Sequence, residues 1–140
     1  GAGGVVSSII FALKNMHAKE IIISNRTREK AESLKVLFKN LKVLEWGKLI
    51  DFDMIINATS LGLNNEKINL DFTGLGKNKL FYDVIYNPHE THFLKVGKQL
   101  GNMTENGKTM FVYQAREAFK LWHKIEPKVN EETFKILDND

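Results

Sequence analysis

The chain opens Gly1-Ala2-Gly3-Gly4-Val5-Val6, and apolar residues with helical spacing follow at once. This order constrains the fold more than any other feature. Glycine lets a backbone turn sharply and come close to a ligand, because no side chain stands in the way. The first amides of the helix behind such a turn point outward, and the helix dipole favours an anion there. Val5, Ile9, Ala12, Leu13 and Met16 share one face, which predicts a helix over residues 3–17. Ile21-Ile22-Ile23-Ser24 then reads as a short buried strand. A phosphate-binding turn needs a strand ahead of it, so residues upstream of Gly1 are expected. Gly1-x-Gly3 alone also suits a turn without a ligand, and Val6 stands where the generic G-x-G-x-x-G pattern has its third small residue.

The alternation continues. Thr27 is placed to cap a helix on which Ala31, Leu34, Leu37 and Phe38 share a face. Residues 41–46 and 52–57 read as strands, and a polar loop covers about 59–69. Residues 80–86 form the next strand, stopped by Asn87-Pro88, and 93–100 a helix. Residues 101–107 read as a loop. Residues 110–122 are a strong helix with Val112, Ala115, Phe119 and Trp122 on one face; Phe119 and Trp122 are expected in the core. Pro127 breaks the chain, and 131–137 is a last short helix. Strands alternating with helices predict an α/β fold: a Rossmann-like, doubly wound parallel sheet with helices on both faces, its first strand missing from the chain. Residues 1–124 are expected to form this domain, incomplete at its N-terminus, with residues 125–140 a helical tail packed on it.

Composition excludes several function classes. No apolar run in these 140 residues approaches the roughly 20 that a membrane span needs. Without cysteine there is no disulfide frame, thiol nucleophile or thiolate metal site, which fits a reducing cytoplasm. The net charge of +3 comes from scattered lysines, a mild pull on anions with no sign of nucleic-acid binding.

In parallel sheets of this kind ligands bind at the carboxyl ends of the strands. The glycine turn, Asn25-Arg26-Thr27, Asn57-Ala58-Thr59-Ser60 and Tyr86 all fall there. An acidic residue at the end of the second strand would bond the ribose hydroxyls of NAD. Here Arg26 offers a planar, permanently charged fork suited to phosphate, and Thr27 adds a hydroxyl. The expected ligand is therefore NADP(H), with Arg26 as an ordinary solvated charge the alternative. His89 and His92 are three apart, but no third ligand accompanies them, so no metal site is expected.

Ile56-Asn57-Ala58-Thr59-Ser60-Leu61-Gly62 resembles the N-A-T-S-x-G loop of the shikimate dehydrogenase family. Gly1-Ala2-Gly3-Gly4 resembles that family's G-A-G-G turn, and Asn25-Arg26-Thr27 with Lys30 and Ala31 its N-R-T-x-x-R-A motif. Asp83 to Pro88, then Thr91, Phe93 and Leu94, resembles its D-x-x-Y-x-P-x-x-T-x-F-L stretch. Gly101, Gly107, Met110, Val112, Gln114, Ala115, Phe119 and Trp122 match its closing pattern. Five motifs in register cover nearly the whole chain.

The resemblance implies the C-terminal NADP-binding domain of an enzyme that reduces 3-dehydroshikimate to shikimate with NADPH, on the way to chorismate and the aromatic amino acids. The family's catalytic lysine and aspartate lie in its N-terminal substrate domain, absent here. No catalytic residue is assigned, and the chain alone is expected to be inactive. By resemblance, Gly1, Ala2, Gly3, Gly4 and Val5 hold the pyrophosphate, and Asn25, Arg26, Thr27 and Lys30 the adenosine and 2′-phosphate. Ala58, Thr59 and Ser60 pass under the middle of the cofactor. Val84, Gly107 and Met110 line the nicotinamide, and Tyr86 and Gln114 reach the substrate. Tyr86 at a strand end also suits a half-buried aromatic with a wet hydroxyl, and Gln114 could bond a neighbouring backbone. The chain departs from the family at Lys30, where arginine is usual, at Ser7 and Ser8, where arginine and a small residue are frequent, and at Leu63, a common methionine. The rival expectations are a quinate/shikimate dehydrogenase preferring NAD or quinate, and a non-catalytic dinucleotide-binding module. A homodimer is left open.

Overall fold

The computed structural model describes residues 1–137. Helix α1 (Val6–Asn15) rises directly from the glycine turn, and β1 (Ile21–Ser24) follows it. Next come α2 (Arg28–Leu37) and β2 (Leu41–Leu44). β2 pairs with β1 in parallel, Ile21 opposite Leu41 and Ser24 opposite Leu44. Strands β3 (Met54–Asn57), β4 (Leu80–Asp83) and β5 (Met103–Glu105) form a second parallel sheet in that order. Parallel neighbours cannot be joined by a tight hairpin. Helix α2 makes the crossover from β1 to β2, the long segment 58–79 that from β3 to β4, and α3 (His92–Gln99) that from β4 to β5. Helix α4 (Lys108–His123) follows β5, and α5 (Glu131–Ile136) packs on α4.

Each sheet has its own core. Val6, Ile10, Ile23, Ala31 and Leu41 close the first, with α1 and α2 against β1 and β2. Ile68, Phe81, Phe93 and Leu94 close the second. There the Phe52 and Phe72 rings stand 6.0 and 5.3 Å from that of Phe81. Gly97 lets α3 lie on β4, because a Cβ at that position would come within 2.6 Å of the Phe81 ring. Between β1 and β3, which do not pair, runs a slot of about 720 Å³.

Parallel strands flanked by helices agree with the expected α/β class. Three details differ. Residues 103–105, expected within a loop, pair with β4 as an edge strand. Met103 is 63% exposed and Glu105 is exposed too, so no apolar alternation announces the strand. Phe119 and Trp122, expected in the core, are 41% and 77% exposed. Helix α4 has the amphipathic pattern, but only its Val112 is buried. Thr27 occupies the cap position of α2 without making a side-chain capping bond. The tail beyond residue 124 is tied to α4 by Glu126, which pairs with Arg116 and stands 2.6 Å from Lys120. Residues 138–140 of the expected tail lie outside the described residues.

Candidate functional site

The glycine turn is built to leave its amides free. Val6 N–H donates to the Gly3 carbonyl and Ile9 N–H to that of Val5, both at 3.1 Å. The amides of Ala2, Gly3, Gly4 and Val5 donate to no acceptor among the described residues. Helix α1 has no side-chain cap and no acidic residue in its first turn. A Cβ built on Gly3 or Gly4 would meet no protein atom within 4 Å. The protein's own packing therefore does not require glycine at those two positions. What glycine preserves is open space over a helix N-terminus, where a phosphate is favoured. Gly1 is different: a Cβ there would stand 2.4 Å from the Ala58 carbonyl oxygen. Its amine donates to the Ser24 carbonyl at 2.7 Å. Gly1 thus wedges the turn between the ends of β1 and β3.

Just past β1, Asn25 Nδ2 donates to the Thr27 carbonyl at 2.7 Å and folds the segment back. This places Arg26 and the first turn of α2 beside each other. Arg28 is engaged with Glu32 at 3.0 Å, and Lys35 with the same carboxylate at 2.9 Å. Arg26 and Lys30 are exposed and have no ion-pair partner among the described residues. The Thr27 hydroxyl, free of any capping bond, lies between them in the chain. The cations that the sequence assigns to a phosphate are thus among those without an ion-pair partner among the described residues.

The end of β3 is locked from below. Asn57 is 4% exposed and bonds in four directions. Its Nδ2 donates to the Leu61 carbonyl and to Asp83 Oδ1, both at 3.0 Å. Its Oδ1 accepts from the Thr59 amide at 3.1 Å and the Thr59 hydroxyl at 2.7 Å. The Thr59 oxygen in turn accepts from Leu61 N–H at 3.1 Å. Thr59 therefore spends its side chain on shaping the loop, while Ser60 is exposed. Asp83 is fully buried, and besides Asn57 it accepts from Ile85 N–H at 3.0 Å and Thr91 Oγ at 2.6 Å. Burial pushes its carboxyl above the ordinary value, and the bonds from Thr91, Ile85 and Asn57 pull it back down. One carboxylate so joins the loop after β3 to the loop after β4.

The third assigned group comes together around Val84. Its amide donates to the Asn57 carbonyl at 3.0 Å. A Cβ on Gly107 would stand 2.0 Å from the Val84 carbonyl oxygen, so only glycine permits this approach. Gly107 N–H donates to the Ile85 carbonyl at 3.0 Å. Met110 sits half-buried in the first turn of α4. Tyr86 is 36% exposed, with its ring stacked on Phe111 at 4.4 Å. Gln114, one turn further along α4, is exposed. Neither the Tyr86 hydroxyl nor the Gln114 amide has a partner among the described residues. The structure links the glycine turn to Ala58, Ala58 to Val84 through Asn57, and Val84 to Gly107. Arg26 and Lys30 flank one end of this line and Tyr86 and Gln114 the other. Asn57, Asp83 and Thr91 support it and are absent from the assigned set. Asp83 and Thr91 stood inside a matched motif, but no spacing rule shows that residues 57 and 83 share a bond.

A parallel α/β arrangement with a glycine turn at one strand end defines the Rossmann-like class. The chain matches no protein-family model. It is 57% identical over 139 residues to the NADP(+)-dependent shikimate dehydrogenase of Pelagibacter ubique, covering 99% of this chain and 52% of that one. A shikimate dehydrogenase of Thermus thermophilus, solved with NADP(H) and shikimate, superposes with a TM-score of 0.82 at 27% identity, over 99% of this chain and 52% of that one. A quinate dehydrogenase of Corynebacterium glutamicum, solved with NAD, gives 0.88 at 25% identity, over 100% and 53%. The chain is a homologue of the shikimate dehydrogenases and spans about half the length of the curated relatives it matches.

Proposed function

We propose that this chain is the NADP-binding half of a shikimate dehydrogenase, an oxidoreductase that reduces 3-dehydroshikimate to shikimate in aromatic amino-acid biosynthesis. One observation carries the reading: an open glycine turn with unengaged amides is tied by Gly1 to Ser24, two residues ahead of Arg26, and Arg26 and Lys30 are exposed cations without ion-pair partners among the described residues. Amides of residues 2–5 would hold the pyrophosphate, and Arg26, Thr27 and Lys30 the 2′-phosphate, with Asn25 fixing the turn that presents them. Ala58, Thr59 and Ser60 would floor the middle of the cofactor, and Val84, Gly107 and Met110 the nicotinamide. When bound, NADPH supplies the hydride. Tyr86 and Gln114 would orient a hydroxylated acid, since directed polar partners discriminate strongly against analogues lacking the hydroxyl. The proton donor would come from the other half of the enzyme, so residues 1–140 alone are inactive. The absence of cysteine suits a cytoplasmic setting.

Titration with NADPH and separately with NADH, followed by nicotinamide fluorescence, tests the reading. NADPH should bind more tightly, and Arg26→Ala should cost about tenfold or more in NADPH affinity while leaving NADH unchanged. Equal or tighter NADH binding would favour the second reading, a quinate-type enzyme, which the likeness to the NAD-bound quinate dehydrogenase supports.

A further inference from the structure

We propose that Asn106 is a positioning residue for the reactive end of the bound cofactor: its side-chain amide clamps the loop after β4 to the first turn of α4. The inference rests on the proposed function, which sets the nicotinamide against Val84, Gly107 and Met110. Asn106 is 9% exposed and is not among the residues assigned to a ligand. Its Nδ2 donates to the His89 carbonyl at 3.0 Å, and its Oδ1 accepts from the Lys108 amide at 3.1 Å. His89 follows Tyr86 by three residues in the loop after β4. Lys108 opens α4, which carries Met110 and Gln114. One planar group thus joins the element that supplies Tyr86 to the element that supplies Met110 and Gln114.

The demand on residue 106 arises at its neighbour. Only glycine at 107 permits the approach to the Val84 carbonyl, so the cap position of α4 has no side chain to offer. Asn106 supplies an oxygen from one residue upstream and closes a turn on the Lys108 amide. An aspartate would do as much, since capping asks only for an acceptor. An ionised aspartate has no donor, however, and the His89 carbonyl needs one. The bond across to the loop is therefore the one that capping does not explain. It works beside two other contacts between the same elements. Gly107 N–H donates to the Ile85 carbonyl at 3.0 Å, and the Tyr86 ring stacks on Phe111 at 4.4 Å. Those two hold the near side of the loop, at residues 85 and 86, and Asn106 holds its far side at 89. The glycine turn and Arg26 stand at the other end of the site and share no hydrogen bond with Asn106. Loss of the clamp should therefore be felt at the nicotinamide and not at the adenosine.

Binding to the 140-residue chain tests this with two probes. One is NADPH, followed by nicotinamide fluorescence. The other is adenosine 2′,5′-bisphosphate, which lacks the nicotinamide, followed by calorimetry. Asn106→Asp keeps the oxygen for Lys108 and removes the donor to His89, and Asn106→Ala removes both. Each variant should lose about three- to tenfold in NADPH affinity, the worth of one hydrogen bond, and keep the parent's affinity for the bisphosphate. A role confined to capping would leave Asn106→Asp equal to the parent with NADPH, which overturns the proposal. Equal losses for the two probes overturn it as well, because they report a general loosening of the fold. Melting midpoints check folding, and where one variant fails to fold the other decides by the same contrast. A parent chain that binds neither probe would sink the cofactor reading and this inference with it. A parent that binds both, beside an unchanged Asn106→Asp, would sink the inference alone.

Discussion

The β1–β2 half and the β3–β5 half treat their functional groups in opposite ways. In the first, Arg26, Thr27 and Lys30 stand clear of the protein, over a core of five small and aliphatic residues. Its helix α2 even presents Val36 and Leu37 to solvent, at 81% and 69% exposure. In the second, the loops are bound into a buried network of Asn57, Asp83 and Thr91, over a cluster of phenylalanines. On the reading proposed above, charge recognition would sit where substitution costs folding little, and loop geometry where folding and function cannot be separated. One half could then change its ligand by changing a side chain. The other can only keep its shape or lose it.

The largest effect should come from Gly107→Ala. Its Cβ would lie 2.0 Å from a backbone oxygen, so one main chain must move. Overpacking of this kind costs about 1–3 kcal/mol or more, and calorimetry should show a melting midpoint several degrees lower. An unchanged midpoint would mean that the second half is softer than its contacts imply. Asp83→Ala comes next. It strips acceptors from the Thr91 hydroxyl, the Ile85 amide and the Asn57 side chain, and because these groups share one network the loss is expected at roughly 1–3 kcal/mol in total. Denaturant unfolding would measure it.

Asp83→Asn sharpens the same point through pH. The folded state raises the Asp83 carboxyl above its unfolded value of 3.8. The native state therefore holds the proton more tightly. That contribution is complete below the unfolded value and is lost as pH rises through the raised one. The stability of the parent minus that of Asp83→Asn should fall as pH climbs across this window. A flat difference would show that the carboxyl is not perturbed.

In the first half the expectations invert. Gly3→Ala meets no protein atom within 4 Å, so stability should stay within about 0.5 kcal/mol. NADPH affinity should nevertheless drop, because the methyl intrudes on the space left for a phosphate. A variant that loses stability and keeps its affinity would reverse the assignment. The smallest effect is expected at Trp122→Ala, a change of about 0.5 kcal/mol or less, since that side chain is 77% exposed. A larger loss would place the ring in contacts the fold does not display.

Local order was legible wherever it rests on neighbours in the chain. The α1 and α2 periods, the Ile21–Ser24 run and the stop at Asn87-Pro88 each announce themselves within a few residues. β5 did not, because a three-residue edge strand with polar, exposed members lacks a buried face to pattern it. Phe119 and Trp122 misled for the converse reason. Periodicity reports that a helix has an apolar face, not that this chain covers it. The site divided along the same line. The roles proposed for Arg26 and the glycines belong to single residues in a turn, so the sequence alone suggests them. It does not suggest the Asn57–Asp83 bond, which joins positions 26 apart whose meeting depends on the β3–β4 register.

Helix α1 begins with neither a side-chain cap nor an acid in its first turn. Most helices finish that end with an oxygen from their own sequence. On the reading proposed above, this one takes its oxygens from a small molecule that comes and goes. The start of α1 is then complete only while the ligand is present, and whatever binds the folded form alone adds to its stability in proportion to supply. The resistance of this chain to unfolding would thus register the level of its dinucleotide pool, a gauge written into the first turn of its first helix.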